Sequence, residues 1–120
     1  MDPKIDSTIF GSITINGQKY SHDVLVRLDG TIKKRKKKLS KKVYGTSHKL
    51  SLAEAEHIYE DGVEKIIFGT GQFDRAHLSE QAEKFFGNLG VELILSSTPR
   101  AINEWNETFG NVVGLFHVTC

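Results

Sequence analysis

The 120-residue sequence has a single cysteine, so no internal disulfide framework can hold it together. A lone thiol fits a reducing compartment, and a cytoplasmic location is expected. There are only two prolines, and no stretch rich in Pro, Gly or Ser marks a linker between domains. No apolar run approaches the roughly 18 residues that a membrane span needs. The opening, MDPKIDST, lacks the apolar segment of a secretory signal. No internal repeat is present. A chain of this length is expected to fold as one domain, residues 1–120, and to bury about two-thirds of its unfolded surface without a metal.

Motifs of established chemistries are missing as well. The five histidines, His22, His48, His57, His77 and His117, never occur as H-x-H, H-x-x-x-H or H-E-x-x-H. His117 and Cys120 are three apart on an expected strand and so fall on opposite faces. No metal site and no cofactor are assigned. There is no G-x-S-x-G elbow. At the end of the sequence, a terminal carboxylate would disfavour the Cys120 thiolate. Asn106-Glu107-Thr108 matches a glycosylation acceptor but lies in an expected helix of a chain without an export signal. No catalytic residue is assigned.

What is present is a change of period partway along the chain. Thr8 to Ile15 alternates, with Ile9, Ile13 and Ile15 sharing a face, and Asn16-Gly17 is a hairpin signal. Val24, Leu25, Val26 and Leu28 follow, then Asp29-Gly30 as a second hairpin signal. Thr31 to about Lys38 would complete an antiparallel β-meander, its end running past the sheet into solvent. From Ser51 the pattern turns helical. Ser51 and Glu54 form a capping box, and Gly62 is the expected stop. Lys65 to Phe68 reads as a buried strand. Ser79 to Leu89 reads as a helix whose stripe is Ala82, Phe85, Phe86 and Leu89. Val91 to Leu95 is the next strand. Thr98 and Pro99 start a helix that turns Ile102, Trp105 and Phe109 to the core. Val112 to Thr119 is the last strand. The fold class expected is α/β: a three-layer domain in which the meander joins a β-α-β-α-β half with a mixed central sheet. Phe68, Phe85, Ile94 and Trp105 are expected to be buried.

Two loops after parallel strands could meet at one sheet edge, where ligands of α/β folds bind. Gly69-Thr70-Gly71-Gln72 follows one strand. It is not a dinucleotide fingerprint, because Asp74 stands where the third glycine belongs and the helix starts late. Ser97, Thr98 and Arg100 follow the other strand, at a helix start that favours anions. Gly69, Thr70, Gly71, Gln72, Ser97, Thr98 and Arg100 are therefore the candidate ligand residues. The same glycines also suit a tight turn needing positive φ, and Thr98 a simple cap.

The charge is unevenly placed. Residues 33–42, KKRKKKLSKK, contain eight of the sixteen basic residues and no acid; the rest of the chain carries 8 basic against 15 acidic side chains. Lys33, Lys34, Arg35, Lys36, Lys37, Lys38, Lys41 and Lys42 form an expected basic surface. It could protect a sheet edge, dock an acidic protein partner, or bind nucleic acid weakly and without specificity.

The segments FGSITINGQKYSHDVLVRLDG, YGTSHKL, IIFGTG, TPRAINEWN and LFHVTC, in that order, resemble the MTH-nine-three-eight-like domain family. The resemblance spans Phe10 to Cys120. It covers small archaeal and bacterial proteins, the adipogenesis-associated domain protein of animals and mitochondrial complex I assembly factor three. It implies a three-layer α/β domain whose mixed sheet has one opposing strand, for which the last strand is the candidate. Gly69, Thr70, Gly71, Thr98, Ala101, Asn106, His117, Thr119 and Cys120 occupy the family pattern. Trp105 replaces a usual tyrosine, and the lysine tract stands where many members carry tryptophans. The function expected is a non-catalytic, cytoplasmic interaction or assembly-type domain. The alternatives are a small-molecule or anion-binding domain, even an unknown enzyme, using the two loops, and a nucleic-acid binder using the basic tract.

Overall fold

The computed structural model describes residues 2–120. The chain begins with β1 (Ile5–Ile9), β2 (Ser12–Ile15) and β3 (Gln18–Tyr20), which pair antiparallel as a separate small sheet. Asn16 and Gly17 both take positive φ, 49° and 79°, which is the turn expected between β2 and β3. The expected single strand from Thr8 to Ile15 is broken. The chain reverses at Phe10-Gly11, and Gly11 has φ 92°.

The rest of the meander belongs to another sheet. β4 (Val24–Val26) and β5 (Ile32–Lys34) pair antiparallel around Asp29-Gly30 and join β7 (Lys65–Thr70), β9 (Glu92–Ser96) and β10 (Val112–His117) in the order β5-β4-β10-β7-β9. All three residues of β4 are buried, which fits a strand covered on both faces rather than one in a half-solvated meander. The expected third strand is short. After Lys34 the chain turns into α1 (Lys38–Tyr44), a helix that the run of lysines did not betray.

α2 (Leu52–Ile58) and α3 (Glu80–Asn88) lie on one face of the large sheet, and α4 (Thr98–Glu107) lies on the other with the small sheet. This gives three layers around two cores. Alternation along each strand separates them: Leu25, Ile66, Phe68, Val113 and Leu115 face α2 and α3, whereas Val24, Val26, Ile67, Val112 and Phe116 face α4 and the small sheet. A two-stranded parallel pair, β6 (Lys49–Leu50) with β8 (His77–Leu78), closes one end. β10 runs parallel to β7, and β4 is the strand that opposes its neighbours. The expectation from family resemblance, an opposing last strand, is therefore corrected. The crossover β9-α4-β10 returns the chain parallel, as such connections do.

Several helix details also differ. α2 ends at Ile58 with Tyr59 as its cap, and Gly62 only turns the chain further on, at φ 89°. In α3, Ala82 and Phe86 are fully buried, while Phe85 is half-buried against Tyr59 and Leu89 is exposed. Trp105 and Phe68 are buried as expected, but Ile94 on the edge strand β9 is only partly so. α4 stops before Phe109, which is 87% exposed instead of facing the core.

Candidate functional site

The two candidate loops do converge at the carboxyl edge of the large sheet. The residue that joins them is Thr98. Its hydroxyl donates to the His117 carbonyl at the end of β10 and accepts from the Gly71 N–H after β7, at 2.9 Å. Its own N–H donates to the Gly71 carbonyl. Thr98 is thus a buried rivet between three elements and not the helix cap. Ser97 holds the cap position, without a side-chain cap bond. Gly69 is needed for the same contact, since a Cβ there would lie 2.9 Å from the Thr98 hydroxyl.

The depression expected between the loops is filled by the chain itself. Residues 118–120 lie across the edge. Gln72 N–H donates to the Thr119 carbonyl, and the N–H groups of Phe73 and Arg75 donate to the Cys120 oxygen. Arg100 N–H donates to the Ser97 carbonyl. The backbone donors that would have held an anion are therefore bonded internally. Gly71 makes this possible. It has φ 106°, and a Cβ on it would fall 2.2 Å from the Cys120 carbonyl carbon. Thr70 bonds Asp74 through their side chains, and the Gln72 amide reaches the Thr8 hydroxyl at 3.0 Å. Arg100 is exposed on the first turn of α4.

Beside this edge lies a charged cluster that sequence reasoning did not find. Arg35 is 4% exposed, so the expectation that it belongs to the basic surface is corrected. Its guanidinium forks onto the Glu54 carboxylate at 2.6 and 3.0 Å, reaches Asp23 Oδ2 at 2.9 Å and donates to the Ser47 carbonyl at 2.8 Å. Glu54 is fully buried and also accepts from the Ser40 hydroxyl. Ser40 Oγ in turn accepts from Ser51 N–H. The capping box is therefore only half made. Ser51 Oγ accepts from Glu54 N–H as expected, but the Glu54 side chain turns away to Arg35. One signal was legible: Arg35 is the single arginine among lysines, and only arginine offers a planar fork to two carboxylates.

Asp23 continues the network. Its Oδ1 accepts from Val118 N–H, and its Oδ2 lies 2.8 Å from His117 Nδ1. The other nitrogen, His117 Nε2, is 3.2 Å from the Thr119 hydroxyl. Burial pushes the Asp23 carboxyl up, but the hydrogen bond and charge of His117, the Val118 N–H and Arg35 outweigh it and hold it below the usual aspartate value. Burial likewise opposes the Arg35 charge, and Glu54 and Asp23 more than compensate. His48 stands edge-on to His117 at 5.3 Å. Burial first, then His117, Arg35 and Arg75, lower its pKa against the pull of Asp23. The order carboxylate, imidazole, hydroxyl is one that can activate a hydroxyl in hydrolases. These groups also hold residues 117–119 in place, and among the described residues no buried side-chain polar atom lacks a partner.

The remaining members of the expected basic surface, Lys33, Lys34, Lys36, Lys37, Lys38, Lys41 and Lys42, are all exposed. They are not one extended edge. Lys33 and Lys34 lie on β5, which is an outer strand of the large sheet, as edge protection requires. Lys36 and Lys37 lie in the link after β5, and Lys38, Lys41 and Lys42 lie on α1, whose position Arg35 and Ser40 fix. At the opposite end of the family pattern, Ala101 is buried and Asn106 clamps β1, accepting from Ile5 N–H and donating to the Ile5 carbonyl.

No helix among the described residues is long and apolar enough to cross a membrane. A search of curated proteins finds no match. A family model described as a protein of unknown function (DUF498/DUF598) matches residues 5–117. A conserved hypothetical protein from Pyrococcus horikoshii is similar in structure, with 31% identity, a TM-score of 0.91, and 98% of this chain and 99% of that one covered. So is the structure named MT938, with 30% identity, a TM-score of 0.84, and 99% and 100% covered. A Bordetella pertussis protein described as an Mth938-like domain shares the fold at 15% identity, with a TM-score of 0.63 and 97% and 85% covered. The rivet at Thr98 and the clamp at Asn106 give structural work to residues of the pattern first read from the sequence, and the chain belongs to this Mth938-like family of proteins of unknown function.

Proposed function

We propose that this protein is a non-catalytic interaction domain of the cytoplasm that docks onto a partner protein through an apolar patch at its sealed sheet edge. The observation that carries the reading is the placement of Ile9, Phe10 and Phe73. They are 64%, 57% and 67% exposed, and the two rings lie 6.0 Å apart. Large apolar side chains gathered in the open mark contact surfaces. They are also held firmly. The turn bearing Phe10 is tied to the loop bearing Phe73 by Thr8–Gln72, and to the end of the chain by Gly11 N–H on the Val118 carbonyl. A rigid patch gives up little entropy on binding. The closed edge beneath it supports docking over catalysis, because the loop amides are already paired within the chain.

The test is a paired capture from native lysate with the wild-type protein and a Phe10→Ser/Phe73→Ser variant. The variant should unfold within about 1 kcal/mol of the wild type, as surface changes do, and lose a specific partner. A Lys41→Ser/Lys42→Ser variant should keep it. If the double phenylalanine variant retains every partner, the patch is not the docking surface.

A further inference from the structure

The lysine tract does not point one way. Lys33 pairs with Leu25 in the β4–β5 ladder and shares with it the α2 side of the sheet. Arg27 lies two residues beyond Leu25 on the same strand line. Together with Lys34, Lys36 and His57 of α2, these residues line an open cleft of about 290 Å³, the side chain of Lys34, which is opposite Val24 in the ladder, lying on the other face. Two separate segments, at Arg27 and at residues 33–36, thus bring cationic groups to one place, and α2 adds the His57 imidazole.

The nearby carboxylates do not reach its lysines. Glu60 is paired with Arg27 Nε at 3.0 Å and accepts from Leu28 N–H. Glu54 is engaged by Arg35. Among the described residues, none of Lys33, Lys34 and Lys36 forms an ion pair. His57 lies close enough to Lys36 and Arg27 to feel their charge. Burial, then Lys36 and Arg27, lower its pKa, and only Glu54 opposes them. Cations crowded on one cleft attract a multivalent anion.

We infer that this cleft, lined by Arg27, Lys33, Lys34, Lys36 and His57, binds a phosphoryl group. A phosphoryl group offers three acceptor oxygens and close to two negative charges, so it can engage donors arriving from several directions. A carboxylate offers two oxygens in a plane and suits one arginine fork better. The lining contains no Phe, Tyr or Trp, and its one ring is the His57 imidazole. A nucleic-acid phosphodiester carries one charge and two free oxygens, so the cleft favours a terminal phosphoryl group, from a free phosphate compound or from a phosphorylated protein. This inference is independent of the apolar patch at Phe10 and Phe73.

The experiment follows the His57 ring by NMR while pyrophosphate, a short phosphoserine peptide, or a single-stranded DNA oligonucleotide is added to the intact protein. Pyrophosphate or the phosphopeptide should raise the His57 pKa, since added negative charge favours the imidazolium. Lys36→Gln changes an exposed side chain and should weaken binding about tenfold, the loss of one charge-assisted contact. Lys41→Gln/Lys42→Gln, on α1 outside the cleft, should change it less than about twofold on the same scale. Binding of pyrophosphate alone identifies a free phosphate compound, and binding of the peptide alone identifies a phosphorylated protein; both support the site. An unmoved His57 titration overturns it. So does a loss that follows the number of lysines removed regardless of position, or binding of the oligonucleotide alone.

Discussion

Replacing Arg35 with Met tests the buried ion cluster directly. The guanidinium donates two hydrogen bonds to Glu54, one to Asp23 and one to the Ser47 carbonyl. Glu54 is 0% exposed, so its removal from Arg35 strands a carboxylate where water cannot reach it. Asp23 keeps His117 and Val118, which limits the loss on that side. Breaking a buried pair from one side costs about 3–5 kcal/mol. For a domain of this size that is a drop of very roughly 10–25 °C in Tm. Urea unfolding followed by circular dichroism measures it. A second substitution supplies a further check. In Arg35→Met/Glu54→Leu both charges are gone, and the double variant should recover much of what the single one lost, because a well-packed apolar pair can replace a buried ion pair at little net cost. A loss below about 1 kcal/mol for Arg35→Met, of the size seen for surface sites, would mean that Arg35 is solvated like its lysine neighbours and that the cluster is not formed.

Gly71→Ala should destabilise by on the order of 2 kcal/mol or more, because the new methyl meets the Cys120 backbone at a positive φ; hydrogen exchange should show the amides of Gln72 and Arg75 losing protection first. A Gly71→Ala protein of wild-type stability would refute the sealed edge. The pH profile of unfolding should have two descents. His48 and His57 titrate lower when folded, so the unfolded chain binds more protons below the ordinary histidine value of about 6.5 and stability declines there on acidification. Asp23 also titrates lower when folded, so its contribution is present above about pH 4 and is lost as pH falls further. His48→Gln should flatten the first descent and leave the second; an unchanged first descent would remove His48 from the account.

Local patterns in the chain were enough to place most elements. Asn16-Gly17 can hardly do other than turn a hairpin, and Ser51 and Ser79 cap the helices that follow them, because these effects act within a few residues. The strands around Phe68 and Leu115, and the buried faces of Phe86 and Trp105, follow from periodicity for the same reason. Long-range partners decided the rest. α1 is hidden in the lysine run because its place depends on Ser40 meeting Ser51 and Glu54, eleven and fourteen residues away. Arg35 reads as one more surface cation until Asp23 and Glu54, brought from two other segments, close around it. The loops at Gly71 and Thr98 were correctly brought to one edge by strand order, yet whether that edge would be open or shut depended on residues 118–120. A chain can announce by its own pattern where it bends and which face it buries. It cannot announce which distant oxygen will reach an N–H first, since that is a competition settled only when the layers pack.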